Sequence, residues 1–200
     1  NYFRYVIGAG APFFFPALFA LANNIVKIYD VPRNRRFMNK AAKALVESKC
    51  IKIGITGSFG KTSVKNMANT ILSEKFKVIA PEASFNTPIG IARTVSEKGL
   101  DCDVFLAEMG ARRLGDIKDL CKMVNPEYGV ITGICSQHLE TFGTVENIVT
   151  EKGVLAAYCK QVALGKSASK IKSDNKLVEG EDFSIEDLEL SKDGTSFTLR

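Results

Sequence analysis

The strongest chemical signal in the sequence is the run Gly57-Ser58-Phe59-Gly60-Lys61-Thr62-Ser63. Glycines let successive backbone N–H groups turn toward one anion, and a helix beginning at such a run adds the partial positive charge of its N-terminus. A lysine after the second glycine can bridge phosphate oxygens, and the hydroxyl of the next residue suits Mg²⁺. The flanks have the required character: Ile51–Thr56 is a short apolar run, and Thr62–Lys75 carries Val64, Met67, Ala68, Ile71 and Leu72 at helical spacing. The run is a shortened phosphate loop, because Ile55 stands where the longer Gly-x-x-x-x-Gly-Lys-Thr pattern has its first glycine. It predicts nucleotide binding by Gly57, Ser58, Phe59, Gly60, Lys61, Thr62 and Ser63.

Other chemistries find less support. The five cysteines, Cys50, Cys102, Cys121, Cys135 and Cys159, form no Cys-x-x-Cys pair. The only histidine, His138, has no cysteine at zinc-site spacing, so reduced thiols in or near a core are the expectation. The net charge of +5 is unevenly placed. Residues 1–50 hold eight Lys/Arg against two acids, and the other 150 hold nineteen against twenty. Basic residues that bracket one apolar run, rather than covering a folded face, predict a membrane partner and no nucleic acid.

Along the chain, short apolar runs alternate with helical ones. Strands are expected at Ile51–Thr56, Lys77–Ala80, Val104–Ala107, Tyr128–Thr132 and Val162–Leu164, and helices at Thr62–Lys75, Ile89–Glu97, Leu114–Val124 and Val145–Ala157. The alternation predicts an α/β fold, a mostly parallel sheet flanked by helices. Leu188–Leu190 and Ser196–Leu199 flank the turn Lys192-Asp193-Gly194, predicting a C-terminal β-hairpin. At the other end Tyr5–Val26 is uncharged; as a helix it would be about 33 Å long against a hydrocarbon core of about 30 Å. With Lys27, Arg33, Arg35, Arg36, Lys40 and Lys43 following, it predicts a membrane helix whose C-terminal side is cytoplasmic. Asn39–Lys49 is expected as a short amphipathic helix with Ala42, Leu45 and Val46 on one side.

The shortened loop, Thr56-Gly57-x-x-Gly60-Lys61-Thr62, resembles the phosphate loop of the Mur ligases and their folylpolyglutamate synthase relatives. The resemblance continues in order through Asn86-Thr87-Pro88-Ile89-Gly90, Glu108-Met109-Gly110-Ala111, Gly115-Asp116-Ile117, Asn125-Pro126, His138-Leu139-Glu140-Thr141-Phe142-Gly143 and Lys152, covering about residues 51–158. Glu-Met-Gly-Ala and His-Leu-Glu are most similar to the D-alanyl-D-alanine-adding branch. The resemblance implies a ligase that joins a carboxylate to an amine with ATP, through an acyl phosphate and a tetrahedral intermediate. It implies that Lys61, Glu108, His138 and Lys152 are catalytic, and that Thr62, Glu108 and His138 hold Mg²⁺ together with Lys152 as a carbamate. It also implies that Asn86 and Thr87 face the UDP-linked peptide. Val154 stands where the family has a glutamate after its lysine, and Arg112-Arg113 replaces a more neutral pair.

The domain organisation expected is a membrane segment and basic linker over residues 1–38, then the central ATP-binding domain over 39–200, incomplete near residue 158 and without a C-terminal domain. The implied substrates are a UDP-N-acetylmuramoyl-tripeptide and D-alanyl-D-alanine in peptidoglycan precursor synthesis, and the fragment alone is expected to be inactive. Two alternatives stand beside this. One is a truncated, membrane-tethered nucleotide-binding module without turnover; the other is a different amide ligase of the superfamily, such as a folylpolyglutamate synthase. The expected location is the cytoplasmic membrane, with the catalytic domain on its cytoplasmic side.

Overall fold

The computed structural model describes the backbone of residues 2–82, 84–190 and 195–199, and within these the side chains from Phe14 onward except those of residues 185, 188, 190 and 195–197. The chain begins with α1 (Tyr2–Glu47), then alternates β1 (Ile51–Thr56), α2 (Lys61–Ser73), β2 (Val78–Ile79), α3 (Pro88–Lys98), β3 (Val104–Glu108), α4 (Asp116–Val124) and β4 (Tyr128–Ile131). There follow α5 (Leu139–Phe142), α6 (Val145–Tyr158), β5 (Gln161–Leu164), a 3-10 turn (Lys166–Ala168), β6 (Lys176–Val178), β7 (Ile185–Leu190) and β8 (Thr195–Leu199).

Six strands form one parallel sheet in the order β2-β3-β1-β4-β5-β6. The chain leaves β1 toward β3 and β2 on one side, then returns to build β4, β5 and β6 on the other. Ligands of open parallel sheets bind at such a reversal, beyond the carboxyl ends of the strands. Here those ends are Thr56 of β1, Glu108 of β3 and Ile131 of β4, and register aligns Ile55 with Glu108 and Thr56 with Ile131. The β3 strand is buried along its whole length, Val104–Glu108, as a central parallel strand must be.

α6 lies very close to the sheet because two strands carry glycine beneath it. A Cβ on Gly54 would lie 2.8 Å from Leu155 Cδ1, and one on Gly129 would lie 3.2 Å from Leu155 Cγ. The buried residues of α6, Ile148, Glu151, Lys152, Leu155 and Ala156, follow the i, i+3, i+4, i+7, i+8 spacing of one helical face. The docked face therefore carries an acid and a base inward beside its apolar residues.

The α/β sheet with flanking helices is as expected, and so is the antiparallel pairing of β7 with β8. The turn Lys192-Asp193-Gly194 lies outside the described residues. β6 was not foreseen; it pairs with β5, which itself pairs directly with β4. On α2 the anticipated apolar stripe is not what is buried: Met67 and Ile71 are exposed, and Lys65 is the buried residue of the helix.

The N-terminal segment requires a correction. The apolar run and the expected helix at Asn39–Lys49 are parts of one unbroken 46-residue helix, α1. Among the described residues no helix is long and apolar enough to cross a membrane. Lys27 and the ion pair between Arg33 and Asp30, at 2.9 Å, lie on α1. The expected cytoplasmic-membrane location is overturned, and the expected membrane helix and membrane partner are not supported. The C-terminal part of α1 packs instead on α3 and α4, with Ala41 and Leu45 buried and Val46 exposed.

This division of α1 sets an expected outcome in urea denaturation. Leu45→Ala, at a position with no exposed surface, costs about 2–5 kcal/mol of stability. Phe19→Ala, at a position 76% exposed, changes it by no more than about 0.5 kcal/mol.

Candidate functional site

The loop between β1 and α2 is shaped by two glycines that no other residue replaces easily. Gly57 has φ +146° and a Cβ there would collide with the Thr132 hydroxyl; Gly60 has φ +75° and leads directly into α2. The loop is tied to the end of β4, with Ser58 N donating to Gly133 O at 2.8 Å and the Thr132 hydroxyl donating to Phe59 O. The Phe59 ring lies over Gly133, where an added Cβ would be 2.5 Å from the ring. Lys61 Nζ curls back to donate to Gly57 O at 2.8 Å and Ser58 O at 3.4 Å. Burial holds the Lys61 ammonium below its ordinary pKa, and the charge of Glu108 partly opposes this. Ser63, exposed on the first turn of α2, points away from the core.

Across from the loop, Glu108 ends β3 with 1% of its surface exposed. Its Oε1 accepts from Thr62 Oγ1 at 3.1 Å and from Asn86 Nδ2 at 3.3 Å. Its Oε2 accepts from Thr62 Oγ1 at 3.0 Å and faces Lys65 Nζ at 3.5 Å. Asn86 reaches this carboxylate because Gly110 has no side chain; a Cβ there would lie 2.7 Å from Asn86 Cγ. Thr87 is the N-cap of α3, its hydroxyl accepting from Gly90 N at 3.3 Å, with Pro88 at the first helical position.

The third wall is α6. Glu151, only 2% exposed, accepts from Gly115 N and Ile117 N, both at 2.7 Å, and so caps the N-terminus of α4 across the fold. Asp116 fixes the adjoining turn, its Oδ2 accepting from Arg112 N at 2.8 Å and Arg113 N at 2.9 Å. Lys152 is 3% exposed, and among the described residues no hydrogen bond from its Nζ is made. Burial pushes its amine down to about 8, and the nearby Lys61 ammonium adds to the effect. His138 has φ +57° at the start of α5 and is exposed.

These groups surround one cleft. Lys61, Asn86, Thr87, Arg112, Arg113 and His138 line a cavity of about 480 Å³. A small recess of about 20 Å³, lined by Gly57, Ser58, Lys61, His138 and Lys152, adjoins it through the shared Lys61 and His138. Thus the loop, His138 and Lys152 meet around one space, while Thr62, Asn86 and Glu108 meet one another through hydrogen bonds. Among the described residues no three His, Cys, Asp or Glu side chains converge to hold a metal ion. Thr62 and Glu108 supply two hard oxygen donors at the phosphate loop, which fits Mg²⁺ only if phosphates and water complete its shell. Two residues of this arrangement, Lys65 and Glu151, were not singled out by sequence reasoning. The buried spacing of α6 would have flagged Glu151; nothing short of the tertiary structure flags Lys65.

The sequence pattern described as the Mur ligase middle domain matches residues 55–199. The UDP-N-acetylmuramoyl-tripeptide–D-alanyl-D-alanine ligase of Treponema pallidum is 36% identical over 102 residues, covering 51% of this chain and 22% of that protein. The enzyme of the same name from Bacillus subtilis is 30% identical over 158 residues, covering 74% of this chain and 35% of that protein. The chain thus spans between about a fifth and a third of the length of these curated relatives. The crystal structure of MurF ligase from Thermotoga maritima in complex with ADP superposes with a TM-score of 0.70 at 24% identity, covering 83% of this chain and 42% of that one. With the phosphate loop, the buried strand-end glutamate and the sheet order in place, the chain belongs to the Mur ligase family, whose middle domain it contains.

Proposed function

We propose that this chain is the nucleotide-binding domain of an ATP-dependent ligase that adds D-alanyl-D-alanine to a UDP-N-acetylmuramoyl-tripeptide in peptidoglycan precursor synthesis. The observation that carries the reading is the phosphate loop Gly57–Thr62 set against the buried Glu108, on one cleft with Lys152 and His138. The names of the relatives supply the substrates. The domain would run from about residue 39 to residue 200 and act within a longer enzyme.

In the proposed reaction a tripeptide carboxylate oxygen attacks the γ-phosphorus of ATP and ADP departs, leaving an acyl phosphate. The amine of D-alanyl-D-alanine then attacks the acyl carbon, and the tetrahedral intermediate expels phosphate as the nitrogen loses its proton. Lys61 would leave the Gly57 and Ser58 carbonyls for the phosphate oxygens, while the loop N–H groups hold the chain of phosphates. Mg²⁺, held through Thr62 and Glu108, would neutralise charge on the transferring phosphoryl group. His138 and Asn86 line or border the cleft where the acyl substrate must lie, and Thr87 contributes by starting α3 beside it.

Lys152 is read as the carbamylated residue, whose neutral amine would add CO₂ and release a proton. Burial without a hydrogen-bond acceptor and a neighbouring cation both favour the neutral amine. The product would carry negative charge into the recess shared with Lys61 and His138.

Three outcomes are expected. Lys61→Ala weakens ATP binding by at least about tenfold in calorimetry, because charge-assisted contacts to phosphate are lost, with the melting temperature little changed. Unchanged affinity would remove the phosphate-loop assignment. In the full-length enzyme, ADP release should require both the tripeptide and D-alanyl-D-alanine. For Lys152 the sign follows from a lowered pKa. Below about 8 the amine is mainly protonated and cannot take up CO₂; above it the neutral form prevails. At fixed dissolved CO₂ the carbon-13 carbamate signal should therefore rise with pH through that value, and Lys152→Arg should show none. Full ligase activity in Lys152→Arg would rule the carbamate out.

A further inference from the structure

The buried ammonium of Lys65 is not needed by the phosphate loop, whose own cation is Lys61. It sits on α2 one turn beyond Thr62, so that both side chains reach the same Glu108 carboxylate. Lys65 and Glu108 are each 1% exposed, and Lys65 Nζ also donates to Pro81 O at 3.0 Å. We propose that Lys65 is the charge-balancing and positioning residue of this site: it holds Glu108 in place and excludes a divalent cation until nucleotide phosphates arrive with it. The inference rests on the proposed nucleotide-binding role.

The physical case has two parts. A divalent cation bound to Glu108 Oε2 at about 2.1 Å would then lie within about 6 Å of the Lys65 ammonium, given the 3.5 Å pair distance. Like charges at that separation, in an interior that screens poorly, repel strongly. Finally, the protein offers such a cation too few ligands by itself, since no third acidic, histidine or cysteine side chain among the described residues joins the group. Phosphates remove both obstacles, because they donate oxygen ligands and bring the negative charge that offsets Lys65. The bond to Pro81 gives Lys65 its positioning role, tying the start of the segment that carries Asn86 to the same carboxylate.

The experiment is Mn²⁺ titration of the full chain, with the Mn²⁺ retained by the protein on ultrafiltration read against protein-free controls. MnCl₂ is added alone, with ATP, and with inorganic pyrophosphate, at mildly alkaline pH. Wild-type protein should leave MnCl₂ free when no phosphate compound is present and retain Mn²⁺ when ATP or pyrophosphate is added. Lys65→Gln, which keeps a donor for Pro81 O, and Lys65→Met should each bind MnCl₂ alone at least about tenfold more tightly than wild type. A folded Lys65→Gln protein with no gain in Mn²⁺ affinity would overturn the inference. So would tight binding of MnCl₂ by nucleotide-free wild type, whether or not either variant folds. Failure of wild type to retain Mn²⁺ with ATP would instead sink the nucleotide-binding reading on which the inference stands.

Discussion

A single carboxylate, that of Glu108, organises the centre of this domain. Burying a charge at the end of a parallel strand is costly, and the cost is offset only when donors surround it. Those donors come from two separate places: Thr62 and Lys65 from α2, and Asn86 from the segment before α3. Satisfying Glu108 therefore fixes where α2 begins, how the segment after Pro81 runs, and why Gly110 has no side chain. Because the phosphate loop ends at Lys61 and Thr62, the same interaction sets the loop's distance from β3.

A second constraint acts from the opposite side. α6 approaches the sheet over Gly54 and Gly129, and its docked face carries Glu151 and Lys152 inward. The two buried charges meet opposite fates. Glu151 is fully used, accepting two backbone N–H groups at the start of α4. Lys152, one residue on, faces the recess beside Lys61 with its amine pushed toward neutrality. Adjacent residues on one helix thus serve structure and chemistry, separated by the 100° turn between them.

The C-terminal part of α1 belongs to this assembly. Ala41 and Leu45 join the core that α3 and α4 share, so the helix is anchored by burial at one end. Farther toward the N-terminus its apolar residues, from Phe14 to Val31, are exposed while remaining on the same continuous helix. Charge placement in the sequence suggested two elements of different kinds at this point; backbone continuity joins them into one.

The alternation of apolar runs and helical periods, and the glycines around Lys61, were legible from residue order because they depend on neighbours within a turn or a strand. For that reason the sequence alone determined the strand–helix succession and the phosphate loop, whereas Glu108, Asn86, His138 and Lys152 became candidates only through the resemblance to the Mur ligases. It did not determine which polar groups would be buried. Lys65 lies among Val64, Met67 and Ile71, and local pattern favours the apolar residues for the core. The tertiary structure reverses that choice, because only the folded sheet brings the end of β3 opposite the first turns of α2, where an unpaired buried carboxylate would cost more than two exposed apolar side chains.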